Sequence, residues 1–68
     1  MQLSAVLLPA VEGGYVALNP ETGTTTQGES IEDALANLRV SSDLYLEEFP
    51  LTVSGCALLT TFQVTEHA

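Results

Sequence analysis

The apolar spacing of this chain changes period once, at Ser30. Before it, apolar residues come in short runs or alternate. After it they recur at helical spacing: Ile31, Ala34, Leu35, Leu38, then Tyr45, Leu46 and Phe49. Ser30 suits an N-cap, and Asp33 lies three residues on, at the capping-box position. Glu29, Glu32 and Asp33 put negative charge at the positive end of the helix dipole. Pro50 stops the run, because the residue before a proline avoids the α region. The spacing predicts one helix over residues 31–48, its apolar stripe interrupted by Ser41 and Ser42.

Short strands are expected on the N-terminal side. Residues 2–8 are aliphatic and too few for a helix, which predicts a strand buried on both faces and therefore central. Gly13-Gly14 allows the chain to reverse, and residues 14–18 make a second strand, with Tyr15 and Ala17 on one side. Asn19-Pro20-Glu21-Thr22-Gly23 is dense in turn residues. Residues 24–27, β-branched and polar, suit a third strand near an edge. Beyond the helix, residues 51–55 read as a connection. Residues 57–65 then alternate, with Leu58, Phe62 and Val64 on one face and Leu59, Thr61, Gln63 and Thr65 on the other. A helix between strands implies a crossover, so this fourth strand is expected parallel to the first and beside it. The expected fold is α+β: a β-β-β-α-β unit with a four-stranded mixed sheet, order 3-2-1-4, and one helix across a face.

Such a unit is one domain, spanning 1–68, and it is small. With 68 residues it buries only about 60% of the surface its unfolded chain exposes. Domains of this size commonly need a staple, a metal or a partner. The single cysteine, Cys56, closes no internal disulfide, and with the lone His67 it cannot complete a four-ligand zinc site. Cys56 is expected as a buried thiol at the entry to the fourth strand. A homo-oligomer, most simply a dimer, is the remaining support, its contact expected on the bare sheet face or an open edge. The N-terminus has no basic lead, and the apolar run over residues 3–8 is too short for a signal peptide or a membrane span. A cytoplasmic chain is expected.

The charge narrows the chemistry. Nine acids against Arg39 alone give a net charge of -8. Such a chain repels nucleic acid and anionic membranes and attracts basic partners. Asp43, Glu47 and Glu48 sit in the last turns of the helix, where each misplaced charge costs roughly 0.3–1 kcal/mol. They are either a solvated acidic face or a patch offered to a basic protein. Catalytic arrangements are absent from the pattern. Ser41-Ser42-Asp43 has no base, the carboxylates avoid the expected strands, and the glycines form no phosphate cradle. No catalytic, metal or cofactor residue is assigned, and the residues read as an interaction module rather than an enzyme.

One run of motifs goes further. Glu12-Gly13-Gly14-Tyr15-Val16-Ala17-Leu18-Asn19-Pro20-Glu21-Thr22-Gly23 is followed by Thr26-Gln27-Gly28-Glu29-Ser30. Glu32-Asp33-Ala34-Leu35-Ala36-Asn37-Leu38-Arg39 and Tyr45-Leu46-Glu47-Glu48 complete it. This order resembles the HicB-like antitoxin family over residues 5–48. The signature positions are Gly13, Gly14, Tyr15, Pro20, Gly23, Gly28, Ala34 and Tyr45. The resemblance implies a truncated ribonuclease-H-like shape and a partner: a small basic ribonuclease toxin of HicA type, which antitoxins of this family bind and cover. Relatives that bind operator DNA do so through a further C-terminal segment. None follows the expected fourth strand, so DNA binding by this chain alone is not expected. Two positions depart from the family: Thr24, often cysteine, and Ser42, usually a large apolar residue. The alternative is a stand-alone homo-oligomeric α+β domain with a different partner or ligand.

Overall fold

The computed structural model describes residues 1–52 and 55–66. Three strands, β1 (Val6–Pro9), β2 (Tyr15–Leu18) and β3 (Thr25–Gly28), precede one helix, α1 (Ile31–Glu48). The strands form an antiparallel sheet in the order β1-β2-β3. Register pairs Leu7 with Ala17 and Pro9 with Tyr15, then Ala17 with Thr26 and Tyr15 with Gly28. Those residues share the face that meets the helix; Val6, Leu8, Val16 and Leu18 lie on the opposite face, which no helix covers.

The reversals follow from local chemistry. Gly13 and Gly14 both take positive φ, 101° and 76°, which carries the β1–β2 turn without a Cβ clash. The Ala10 N–H bonds the Gly14 carbonyl at 3.0 Å and extends the ladder beyond Pro9. Helix α1 starts and stops where its sequence signals stand. The Ser30 hydroxyl accepts from the Asp33 N–H at 3.1 Å, and the Phe49 N–H bonds the Tyr45 carbonyl at 2.8 Å ahead of Pro50. Tyr45 and Phe49 also stack, with ring centroids 5.0 Å apart.

The helix sits on the sheet through very small side chains. Ala17 and Ala34 are fully buried and Leu38 nearly so, with Leu7 and Tyr15 packed around them. At Gly28 the approach is closer still. A Cβ there would lie 2.3 Å from the Ala34 nitrogen and 2.7 Å from the Asp33 carbonyl carbon, both backbone atoms that cannot swing aside. The Thr26 hydroxyl donates to the Ala34 carbonyl at 3.0 Å, and the Asn37 amide donates to the Gln27 carbonyl at 2.8 Å. Helix and β3 are therefore joined by backbone proximity and two side-chain bonds.

Three expectations need correction. The fourth strand does not form: residues 57–66 join no sheet, so the fold is β-β-β-α rather than a four-stranded sheet of order 3-2-1-4. Its alternation is present, but both faces are in solvent, with Leu58 97%, Leu59 78%, Phe62 84% and Val64 72% exposed. A strand needs an edge to bond to and a surface to bury against, and within one chain this segment takes up neither. Strand β1, expected to be central, is consequently an edge, and β2 takes the middle. Cys56, expected buried, is exposed, its thiol 3.2 Å from the Gln2 carbonyl. The connection expected over residues 51–55 lies partly outside the described residues, and His67 lies wholly outside them.

Gly28→Ala is expected to lower stability by about 1–3 kcal/mol or more, because backbone must move to admit the methyl. Gly23→Ala has φ 78° but open space around it, so only left-handed backbone strain of about 1–2 kcal/mol applies. Urea midpoints of the two variants would rank them, with Gly28→Ala the lower.

Candidate protein-binding surface

The outer side of α1 carries the acids singled out in the sequence. Asp43, Glu47 and Glu48 are all exposed. Asp43 and Glu47 are one turn apart and share a face, with Glu48 flanking it. Between and beside them lie Val40 and Leu44, 59% and 58% exposed, which are also one turn apart. The sequence reading missed this pair, because neither residue belongs to the stripe that meets the sheet. Its signal was the i,i+4 spacing of two aliphatic residues on the charged side. Apolar residues with a charged rim are the anatomy of a protein-binding patch.

The family-signature positions are distributed differently. Gly13, Gly14 and Gly23 supply positive φ, Gly28 and Ala34 supply the close approach, and Tyr15 packs on the core. Pro20 lies in the β2–β3 turn, and Tyr45 is half-buried against Phe49. These residues build the scaffold and hold the acidic face at a set distance from the sheet.

A polar network lies under that face. Asn19 is buried, and its side-chain amide donates to the Ser42 hydroxyl at 2.9 Å. Its carbonyl oxygen accepts from the backbone of Glu21 at 3.0 Å and of Thr22 at 3.4 Å, which folds the turn. The Thr24 hydroxyl lies 2.8 Å from that of Thr22 and 3.4 Å from that of Ser42. Thr24 and Ser42, the two departures noted above, thus meet in space. Ser42 appeared in the sequence as a break in the helix stripe; it is buried and is where the β2–β3 turn is bonded to the helix. No buried side-chain nitrogen or oxygen among the described residues lacks a partner.

Glu21 closes the other side of the turn. Its carboxylate accepts from the Ser4 N–H at 2.7 Å, from the Ser4 hydroxyl, and from the Ala57 N–H at 3.0 Å. The Ser4 hydroxyl, then the Ser4 and Ala57 amides, hold its pKa below the ordinary value. One carboxylate so gathers the segment before β1 and the segment after α1. Nothing in the sequence marks it, since its partners are 17 and 36 residues away.

Among the described residues, no three His, Cys, Asp or Glu side chains group as metal ligands, and no helix is long and apolar enough to cross a membrane.

With this geometry in place, comparison with known proteins adds one relative. The chain is similar to the UPF0150 protein ssl0259 of Synechocystis sp.. Identity is 42% over 48 residues, 69% of this chain, and the match spans 66% of that relative's length. UPF0150 is a HicB-like family, so the match is consistent with a HicB-like domain. No family model matches the chain, and no solved structure matches it.

Two outcomes follow from the network and the carboxylate clamp. Ser42→Ala removes the acceptor of a buried amide and is expected to cost about 1–3 kcal/mol, read from urea unfolding. Because folding lowers the Glu21 pKa, the unfolded chain binds that proton more tightly. The Glu21 contribution is complete at neutral pH and is lost as pH falls from the ordinary carboxylate range through the lowered value. An NMR titration should show the Ser4 and Ala57 amides shifting together with the Glu21 carboxyl, and Glu21→Gln should abolish that shared step.

Proposed function

We propose that the chain is an antitoxin-like binding module that sequesters a small basic ribonuclease of HicA type. The observation that carries this reading is the outer face of α1, where exposed Val40 and Leu44 are bordered by Asp43, Glu47 and Glu48. The net charge of -8 would speed encounter with a basic protein. The apolar pair would give the complex a desolvated centre. Likeness to a UPF0150 protein and the HicB-like run of motifs favour a toxin over an arbitrary basic partner. The role is to hold and cover, so no catalytic residue is assigned to this chain.

The test is titration of a purified HicA-type ribonuclease, from a reading frame next to this gene, with the intact chain. Stoichiometric loss of ribonuclease activity is expected, with affinity falling as salt is raised. Asp43→Lys with Glu47→Lys should slow association by about tenfold or more at low salt, since rim charges act mainly on the on-rate. No complex at low salt, or a complex indifferent to both substitutions, would reject the reading.

A further inference from the structure

We infer that residues 57–66 form an exchanged arm, which adds as a strand to the open β1 edge of a second copy of this chain. The shape is the first observation. The radius of gyration is 14.1 Å, where a compact chain of this length has about 11 Å. The accessible surface is 5597 Å², whereas a compact monomer of this mass exposes only about 4,100 Å². The surplus, on the order of 1,500 Å² per chain, falls in the range that an obligate homodimer buries from each partner.

The arm and the edge need the same thing. Leu58, Phe62 and Val64 form an apolar face with nothing against it, and beyond Ala57 the arm makes no bond to the body among the described residues. On β1, the Ala10–Gly14 bond sets the alternation of the ladder. Leu8 and Val6 therefore bond inward to β2, while Ala5 and Leu7 present their backbone groups outward. The other edge, β3, is polar, and Asn37 of the helix already bonds its Gln27 carbonyl. Beside the β1 edge, a groove of about 470 Å³ opens between the N-terminal segment and α1; Leu3, Ala5, Leu35, Leu38 and Leu46 make its apolar part, and Arg39 and Asp43 stand beside them as a pair of opposite charges. It holds more than one side chain can fill, and a strand laid on the edge would direct Leu58, Phe62 and Val64 into it.

Charge selects a second copy as the occupant. Every ionised side chain of the chain lies between Glu12 and Glu48 except Glu66. Residues 1–11 and 51–65 carry no charged side chain. Two molecules at -8 each repel, and a contact built from these two stretches sets no acid against another. The arm leaves the body at the Gln2–Cys56 and Glu21–Ala57 contacts, beside the segment that leads into β1. A reciprocal exchange therefore brings both pairs of neutral segments together about one two-fold axis.

The experiment is mass measurement in solution on the full chain and two variants, with hydrogen exchange on the full chain. Phe62→Asp alters an arm residue that is 84% exposed in the single chain, so the three-stranded unit should keep its helical circular dichroism. Ala5→Pro removes an outward N–H at the edge. The unaltered chain should be a dimer that holds or tightens as salt is raised, with the amides of residues 57–66 protected. Each variant should raise the dimer dissociation constant at least 100-fold. A mixture of the two should form heterodimers where each alone is monomeric, because one sound arm then meets one sound edge. A monomeric full chain, or free exchange over 57–66, would overturn the inference. So would a dimer indifferent to Phe62→Asp but broken by Leu8→Asp, which would place the contact on the bare sheet face, or a mixture that stays monomeric. The toxin complex, by contrast, should weaken in salt, so either reading can fail without the other.

Discussion

The backbone of α1 passes so close to the end of β3 that only a hydrogen fits between them. With a Gly28 Cβ excluded at 2.3 Å from the Ala34 nitrogen, the helix is seated on the sheet before any large side chain is engaged. The small core follows from this contact. Where helix and sheet approach so nearly, Ala17 and Ala34 fill the interior, and among the described residues Leu38 is the one larger apolar side chain buried with them. Other large apolar side chains are displaced to the periphery, at Ile31, Leu35, Phe49 and the arm. A tight seat and a surplus of exposed apolar surface are thus two consequences of one geometry.

A second constraint acts at the far end of the helix. Leu38 is followed one turn later by Ser42 rather than by an apolar residue, and that serine bonds Asn19. A buried amide without a partner is costly, so a bonded one favours a single helix position over neighbouring ones. The shared network with Thr24 explains why two departures from the family pattern coexist: each hydroxyl stands within reach of the other. Together with Glu21, which gathers both flanking segments, these polar groups do the locating that a three-residue core cannot.

Charge is distributed to match. Apart from Glu66 at the end of the arm, the acids occupy the turns and α1, and the neutral stretches occupy the β1 edge and the rest of the arm. One molecule therefore presents two surfaces of opposite character: an acidic helix face and an edge that carries no charged side chain. Salt weakens contacts of the first kind and spares those of the second.

Elements whose cause is local could be read directly from the sequence. The extent of α1 was written in the Ser30 cap, the change of period and Pro50, and the meander in Gly13-Gly14 and the Asn19–Gly23 turn. Asp43 and Glu47 were legible as a shared face from their spacing alone. What depended on distant partners was not. Alternation in residues 57–65 states that a strand could form, but not which edge would accept it, and within one chain none does. The burial of Ser42, the exposure of Cys56 and the three bonds to Glu21 were likewise decided by the tertiary structure. Each depends on groups brought together from 17 or more residues apart, and local pattern carries no record of such contacts.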